Sequence, residues 1–404
     1  MKTIMVISGT PSETSEMALY EAKQEGYRCV FCTDQPDEKS GRLADVIYRI
    51  RLDDTDALFA IAEKEHADGI ISMSTKAMIP AAAVCRRLGL PGNSPESLEP
   101  LISKDAFREL ALRAGVFHPG FVVPASAETI EEECAALHFP VIVKPAQGSS
   151  SFGQTIVSGI RGLRIAYETA VRESWNHKAL IEEFIPQPSL RAVEIDVFVA
   201  GDEILWDGVR DSYRVEAAPL RPVYDVYPAS LTAGELDQMR HTIAALLREA
   251  GVRLGEYDVE GYFTEEGEFF VIEINPRPAG YYNPQHIFYY CGVNLTRLLV
   301  TTAVGDWSCY DRLRTQKRTK NNILAYSVFS PKEGVLDHVY IHPSLVPKMV
   351  EQRFPLGRQE GRFVQDILTA IRPISILVFA FDSEDELERV RSSVDTLIYP
   401  VLRD

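Results

Sequence analysis

Two alternating segments, DVEGYFT (258–264) and EFFVIEIN (268–275), meet through TEEG and constrain this chain more than any other feature. Strand geometry sends alternate side chains to one face, which aligns Glu273 with Asn275. Folded as an antiparallel hairpin, the segments bring Glu260 diagonally beside Glu273, with Asp258 close by. Pro276 cannot donate to a ladder and biases Asn275 toward extended geometry, so the pair is expected at a strand end beside an open cleft. Oxygen groups crowded on one sheet face repel one another unless a cation joins them, and hard oxygen ligands suit magnesium, with phosphate oxygens completing its shell. A metal–nucleotide site is one reading of this hairpin. An acidic strand turned to solvent is the other.

Around the hairpin the pattern changes twice. Residues 1 to about 92 read TIMVIS, SETSEMALYEAKQEG, YRCVFCT, DALFAIAEKEHAD, GIISMS and PAAAVCRRLG, a βαβαβα order that predicts a parallel sheet with helices on both faces. Ser12, Ser15 and Glu16 predict a capped start for the first helix, and Gly26 its end. The turn SGTPSE lacks the glycine spacing of a dinucleotide fingerprint, so this region is expected to wall a substrate cleft rather than hold NAD. GLPGNSPESLEP (89–100) marks a boundary. From 139 to 275 strands dominate, with helical insertions at 161–173 and 233–250, which predicts α+β architecture with antiparallel hairpins. A third region beyond 310 adds strands and a final amphipathic helix, so the expected domains are 1–95, 96–310 and 311–404.

The length of 404 residues exceeds one compact core, in keeping with several subdomains. The net charge of -16 opposes a nucleic-acid partner, and the basic stretch Arg312 to Lys320 is expected as an exposed face. No window approaches a membrane span or a signal sequence, and six scattered cysteines fit a reduced compartment, so a cytoplasmic location is expected. Cys29 and Cys32 form a CxxC, but on a strand their thiols point to opposite faces, which predicts plain packing.

Three weaker signals accompany the hairpin. FPVIVKPAQGSSSFGQTIV is a strand ending in Lys144, then small residues from Gln147 to Gly153 whose amides could approach an anion; no GK[ST] opens a following helix, so it is not a Walker A loop. Lys104 begins the helix SKDAFREL. ALIEEFI is expected as a strand edge whose main chain could pair with an adenine, with Phe184 or Ile185 against the ring.

In their order, Lys104 after GLPG, strand-Lys-Pro with its Gly/Ser loop, IEEFI, VEGYFT-EEG and VIEINPRP resemble the ATP-grasp superfamily over roughly residues 1–310. The likeness is greatest to the carboxylate–amine ligase branch, which includes L-amino-acid (dipeptide) ligases and is related to biotin carboxylase. It implies an ATP-grasp fold preceded by a Rossmann-like parallel-sheet domain. It further implies that Lys104 and Lys144 hold nucleotide phosphates and that Gly148, Ser149, Ser150 and Ser151 belong to a covering flap. Glu182, Glu183, Phe184 and Ile185 would form the adenine hinge, acting largely through the backbone. Glu260, Glu273 and Asn275 would hold magnesium, two ions with Mn2+ as a substitute, and Arg277 would neutralise an acyl phosphate.

The chain departs from the family in two places. IPQPSLRAVEID lacks the usual Gly-Glu, leaving Glu194, Asp196 or neither for the ribose, and PAGYYNPQH places Tyr281, Tyr282 and Asn283 where a glycine-rich turn is common. Arg210, Arg214 and Arg221 are candidate grips for a substrate carboxylate or connection arginines, and His286 is either a site residue or a structural histidine. The implied activity is ATP-dependent joining of a small carboxylate, such as an amino acid, to an amine, with a homodimer as the implied assembly. An ATP-dependent carboxylase or purine-type ligase and a nucleotide-binding regulatory protein are the alternatives.

Overall fold

The computed structural model describes the chain except residues 10–12, 36–38, 149–152, 186–189, 216–217, 371 and 404, together with the side chains of 39, 40, 219 and 220. The N-terminal region runs β1 (Thr3–Ile7), α1 (Glu13–Gln24), β2 (Arg28–Thr33), β3 (Val46–Arg49), α2 (Thr55–Lys64), β4 (Gly69–Ser72) and α3 (Met78–Leu88). Its strands form a parallel sheet in the order β3-β2-β1-β4. Alternation splits the apolar side chains between two cores: Ile4, Val6, Cys29 and Phe31 face one layer, and Met5, Ile7, Val30 and Cys32 the other. The two cysteines therefore do point to opposite faces, and burial pushes their thiols up to about 11 and about 12. The short edge strand β3 was not legible in ADVIYRI, because one half of its residues face water. Ser12, expected as a helix cap, lies outside the described residues.

After α4 (Pro95–Ile102) and α5 (Lys104–Ala114) come β5 (Phe121–Val122), α6 (Ile130–Glu133), β6 (Val141–Pro145), β7 (Thr155–Val157), α7 (Leu163–Glu173) and β8 (Ala179–Glu183). These strands form a small antiparallel sheet ordered β5-β8-β6-β7. A large antiparallel sheet then grows from β9 (Leu190–Ala200), β10 (Glu203–Val215), β11 (Ala218–Tyr227), α8 (Ala233–Ala250), β12 (Leu254–Thr264) and β13 (Phe269–Asn275). Helices α9 (Asn283–Cys291), α10 (Leu295–Ala303) and α11 (Ser308–Thr315) follow, then β14 (Asn322–Val328), β15 (Gly334–Ile341), β16 (Met349–Arg353), β17 (Phe363–Val364), β18 (Ser375–Phe381), α12 (Glu384–Arg391), α13 (Val394–Leu397) and β19 (Ile398–Leu402). The order β13-β12-β9-β10-β11-β14-β18-β16 shows that late strands continue the same sheet, while β17-β15-β19 stand apart. The expected final helix is broken in two and ends in the strand β19.

Period-two alternation gives β9 and β12 two unlike faces. Val193, Ile195, Val197, Tyr257 and Val259 pack with Ile274 against Leu110 of α5 and Met239 and Leu246 of α8. Each such side chain contributes roughly 1.5–3 kcal/mol by its burial. The even-numbered residues between them carry carboxylates on the opposite face. Helix α10 joins the N-terminal sheet to this assembly through Val300, Ala303 and Val304. Gly69 permits the approach, since a Cβ there would stand 2.3 Å from the Ala303 carbonyl oxygen.

Candidate active site

Strands β9, β12 and β13 align two rows of oxygen groups. Glu194, Glu260 and Glu273 stand directly opposite one another, as do Asp196, Asp258 and Asn275. The diagonal placement of Glu260 and Glu273 expected from the sequence is thereby corrected to a direct pair. A bulge after Glu260 is the cause: Phe263 pairs with Phe269 and Gly261 with Val271, so an unbulged ladder would oppose Glu260 to Ile272 and turn Glu273 to the other face. Gly261 packs against the Phe269 ring, and a Cβ there would come within 2.4 Å of it.

Cations balance the rows unevenly. Lys104 Nζ lies 3.5 Å from Glu273 Oε2, and Asn275 Nδ2 donates to Glu273 Oε1 at 3.1 Å. Burial pushes Glu273 up, but Lys104, the Asn275 hydrogen bond and Arg277 outweigh it and hold the carboxyl below its usual value. Glu260 has less relief: burial, then Glu273, Glu194 and Asp258, push it up to about 8 against the opposing pull of Arg214. Arg277 Nη1 approaches Asp258 Oδ2 at 3.6 Å.

The small sheet holds a second charged group. Lys144 Nζ donates to Glu182 Oε1, and Arg108 Nε donates to Glu182 Oε2 at 2.7 Å while its Nη1 reaches the Val271 carbonyl at 2.9 Å. All three side chains are buried. Burial drives Lys144 down and Glu182 up, yet Arg108 and Lys144 together bring Glu182 down to about 2. The backbone of α5 meets the strand-Lys-Pro segment directly, since Lys104 N donates to Ala146 O at 2.8 Å.

Several expectations are corrected here. Strand β8 is an inner strand paired with β5 and β6, not an edge, so Glu182 is occupied on both sides and Glu183 N is taken by Gly120 O. Glu183 accepts from His138, and Phe184 N donates to Pro140 O. Arg210 is fully buried, donating to Glu194 and Asp196 with Asp225 at 3.5 Å, and so neutralises the acidic face instead of gripping substrate. Glu194 also accepts from Ser212 at 2.9 Å and Arg214 at 3.2 Å, and Asp196 accepts from Ala279 N at 3.3 Å, so both ribose candidates are engaged by protein donors. Arg221 donates to Ala370 O from strand β11, which the sequence presented as a connection. His286 is buried and held neutral, its pKa driven down to about 3 chiefly by desolvation. Gly148 lies where the strand leaves the small sheet, and Ser149, Ser150 and Ser151 fall outside the described residues.

Arg108 and Glu256 were missed by sequence reading. Arg108 follows Lys104 by four residues on one helical face, a spacing that could have flagged it. Tyr281 and Tyr282, which follow Arg277 and Gly280, take positive φ values of 53° and 60°, unusual for non-glycine residues and a sign of a constrained turn beside the site.

The donor set fits magnesium bound with a nucleotide. Among the described residues no group of three or more His, Cys, Asp or Glu could hold a metal alone. Magnesium is commonly bound through one or two carboxylates plus substrate phosphates, and Glu260, Glu273 and Asn275, with Lys104 at their edge, would suit such a partial shell.

Comparisons with known proteins agree with this fold. Residues 116–283 match the family model described as D-ala D-ala ligase C-terminus. An uncharacterized protein, y4rH of Sinorhizobium fredii, is 28% identical over 275 residues, 67% of this chain and 55% of that protein. The carbamoyl phosphate synthase large chain of Vibrio cholerae is 23% identical over 350 residues, 82% of this chain and 31% of its own length. The chain thus spans about half or less of these two relatives. Among solved structures, the L-amino acid ligase from Bacillus licheniformis superposes with a TM-score of 0.82 at 15% identity, covering 100% of this chain and 99% of that one. Phosphoribosylglycinamide synthetase from Anaerococcus prevotii gives 0.76 at 15%, covering 100% of both chains.

Proposed function

We propose, for a chain whose fold and central domain are those of the ATP-grasp ligases, that it activates a small carboxylate as an acyl phosphate with ATP and joins it to an amine, releasing ADP and phosphate. The observation that carries this reading is the bulged hairpin that sets Glu260, Glu273 and Asn275 in line beside Lys104 and Arg277.

The central difficulty of the reaction is repulsion between a carboxylate and a triphosphate, and electrostatic positioning is the remedy. Lys104 and Lys144 take phosphate oxygens. Lys144 has three donor hydrogens and Glu182 occupies one, which fixes its direction and leaves the others free. Glu260, Glu273 and Asn275 would hold magnesium, whose charge screens the phosphates and the departing ADP. Arg277, turned toward the same face by Pro276 and Pro278, meets the charge that develops on the acyl phosphate. Main chain following β8, at Phe184 and Ile185, borders the adenine. No protein nucleophile is needed in this scheme. The chain's own task in the second step is to admit the amine while excluding water.

An ATP-dependent carboxylase or purine-type ligase would use the same metal and phosphate groups and differ in the acid. Transfer of labelled bicarbonate into product, against amide formation from an amino acid, separates the two. The test of the reading is ATP- and acid-dependent ADP release that needs an amine and disappears in Glu273→Ala.

A further inference from the structure

Between the N-terminal sheet and the β12–β13 hairpin lies a cavity of about 80 Å3, lined by Ile70, Met78, Leu98, Leu254 and Leu299 and also by Glu256 and Arg277. Its walls are largely apolar, with Ser72, Asn93, Glu256 and Arg277 as polar or charged residues among them. Glu256 is 1% exposed, and among the described residues neither of its carboxylate oxygens has a hydrogen-bond partner. The other polar groups there are engaged: Asn93 donates to Leu254 O and accepts from Arg253 N and Leu254 N, and Ser72 Oγ donates to Ser74 O. An unpartnered buried carboxyl carries a desolvation cost that a ligand in the cavity can relieve.

Charge identifies that ligand. Glu256 precedes Asp258 by two residues on the same strand face, and Asp258 stands opposite Asp196. Burial and these two carboxylates keep Glu256 neutral in the free protein. An anion would meet this acidic wall, and a divalent cation would find one carboxylate among hydrocarbon rather than an oxygen shell. A compact cation with N–H donors fits both demands. The cavity has room for several waters, so ammonium or a small primary amine fits it.

We propose that this cavity is the amine subsite of the ligase reaction and that Glu256 binds the ammonium group and receives its proton, an inference that rests on the reading given under Proposed function. On binding, the Glu256 carboxyl proton leaves to solvent and an ammonium–carboxylate pair forms. Glu256 then takes one proton from nitrogen, and the freed lone pair forms the C–N bond at the acyl carbonyl. The C–O bond to phosphate breaks with its electron pair leaving on phosphate, which collects the second nitrogen-bound proton. Glu256 is again neutral, as in the free protein. Arg277, on the same cavity wall, joins the amine's position to the acyl phosphate.

The test compares wild type with Glu256→Gln, using ammonium chloride and methylammonium chloride as amines and ADP release as readout. The expected result is a KM for ammonium at least tenfold higher in Glu256→Gln, with the KM for ATP and acid-dependent positional isotope exchange within ATP unchanged. That exchange needs no amine and shows the variant is folded and activates the acid. Ala82→Leu, which narrows the cavity, should impair methylamine more than ammonium. An unchanged ammonium KM in Glu256→Gln means a water-filled cavity and overturns the proposal, as does wild-type turnover with larger amines but with neither small one. Absence of acid-dependent exchange in wild type overturns the ligase reading itself, and this inference with it.

Discussion

Replacing Glu182 with Gln should cost about 3 kcal/mol of stability, and the structure supports that figure by two routes. Glu182 is the shared counter-ion of Lys144 and Arg108, all three buried, so the amide leaves two cations without a charge partner. Breaking a buried ion pair in this way costs roughly 3–5 kcal/mol. The same two cations hold its carboxyl at about 2 against the ordinary 4.5, a difference worth about 3 kcal/mol at roughly 1.4 kcal/mol per pH unit. Because the folded-state pKa is depressed, this stabilisation is fully present above the unfolded-state value near 4.5 and fades as the pH falls toward 2. Urea denaturation followed by Trp fluorescence should show a lower midpoint for Glu182→Gln at pH 7, and the gap to wild type should shrink between pH 4.5 and 2. Adding Arg108→Met removes one of the stranded cations and should recover part of the loss. A variant as stable as wild type at pH 7, or a gap independent of pH, would refute the reasoning.

Three further outcomes follow from the site. Gly261→Ala places a Cβ 2.4 Å from the Phe269 ring, so the bulge shifts or the ring moves; stability should fall by about 1–3 kcal/mol and kcat with it, measured by denaturation and ADP release. Glu260, raised to about 8, must lose its proton to bind a cation, so Mn2+ affinity in a titration with ATP should rise by up to about tenfold per pH unit from 6.5 to 8 and then level off. Arg210→Met strands Glu194, Asp196 and Asp225 in the interior, and the variant should fail to accumulate as folded protein, judged by soluble yield and circular dichroism.

The hairpin that carries the site was legible because alternation of acids and apolar residues survives in VEGYFT and VIEIN. Its register was not, since one bulge decides which face Glu273 occupies, and the signal is a single Gly261 whose meaning depends on the Phe269 ring across the ladder. Strand β11 escaped because APLRPVYDVY carries two prolines and two charges, yet its pairing with β10 and β14 overrides those local preferences. Arg210 resembled a surface arginine in GVRDSYR; only the carboxylates of the neighbouring strands show that it is an internal counter-ion. Glu182 similarly stood beside Glu183 as one of two hinge acids, whereas the strand sends one inward to Lys144 and the other out toward His138. Local sequence carries periodicity, and these roles depend on cross-strand partners distant in sequence. The comparisons support the ATP-grasp fold.

The most direct measurement is ADP release from ATP and magnesium across a matrix of small carboxylates and amines, in wild type and in Glu273→Ala. The account predicts release that requires one acid and one amine together and is abolished by the substitution. Release that is independent of added acid, or that persists in Glu273→Ala, would contradict it.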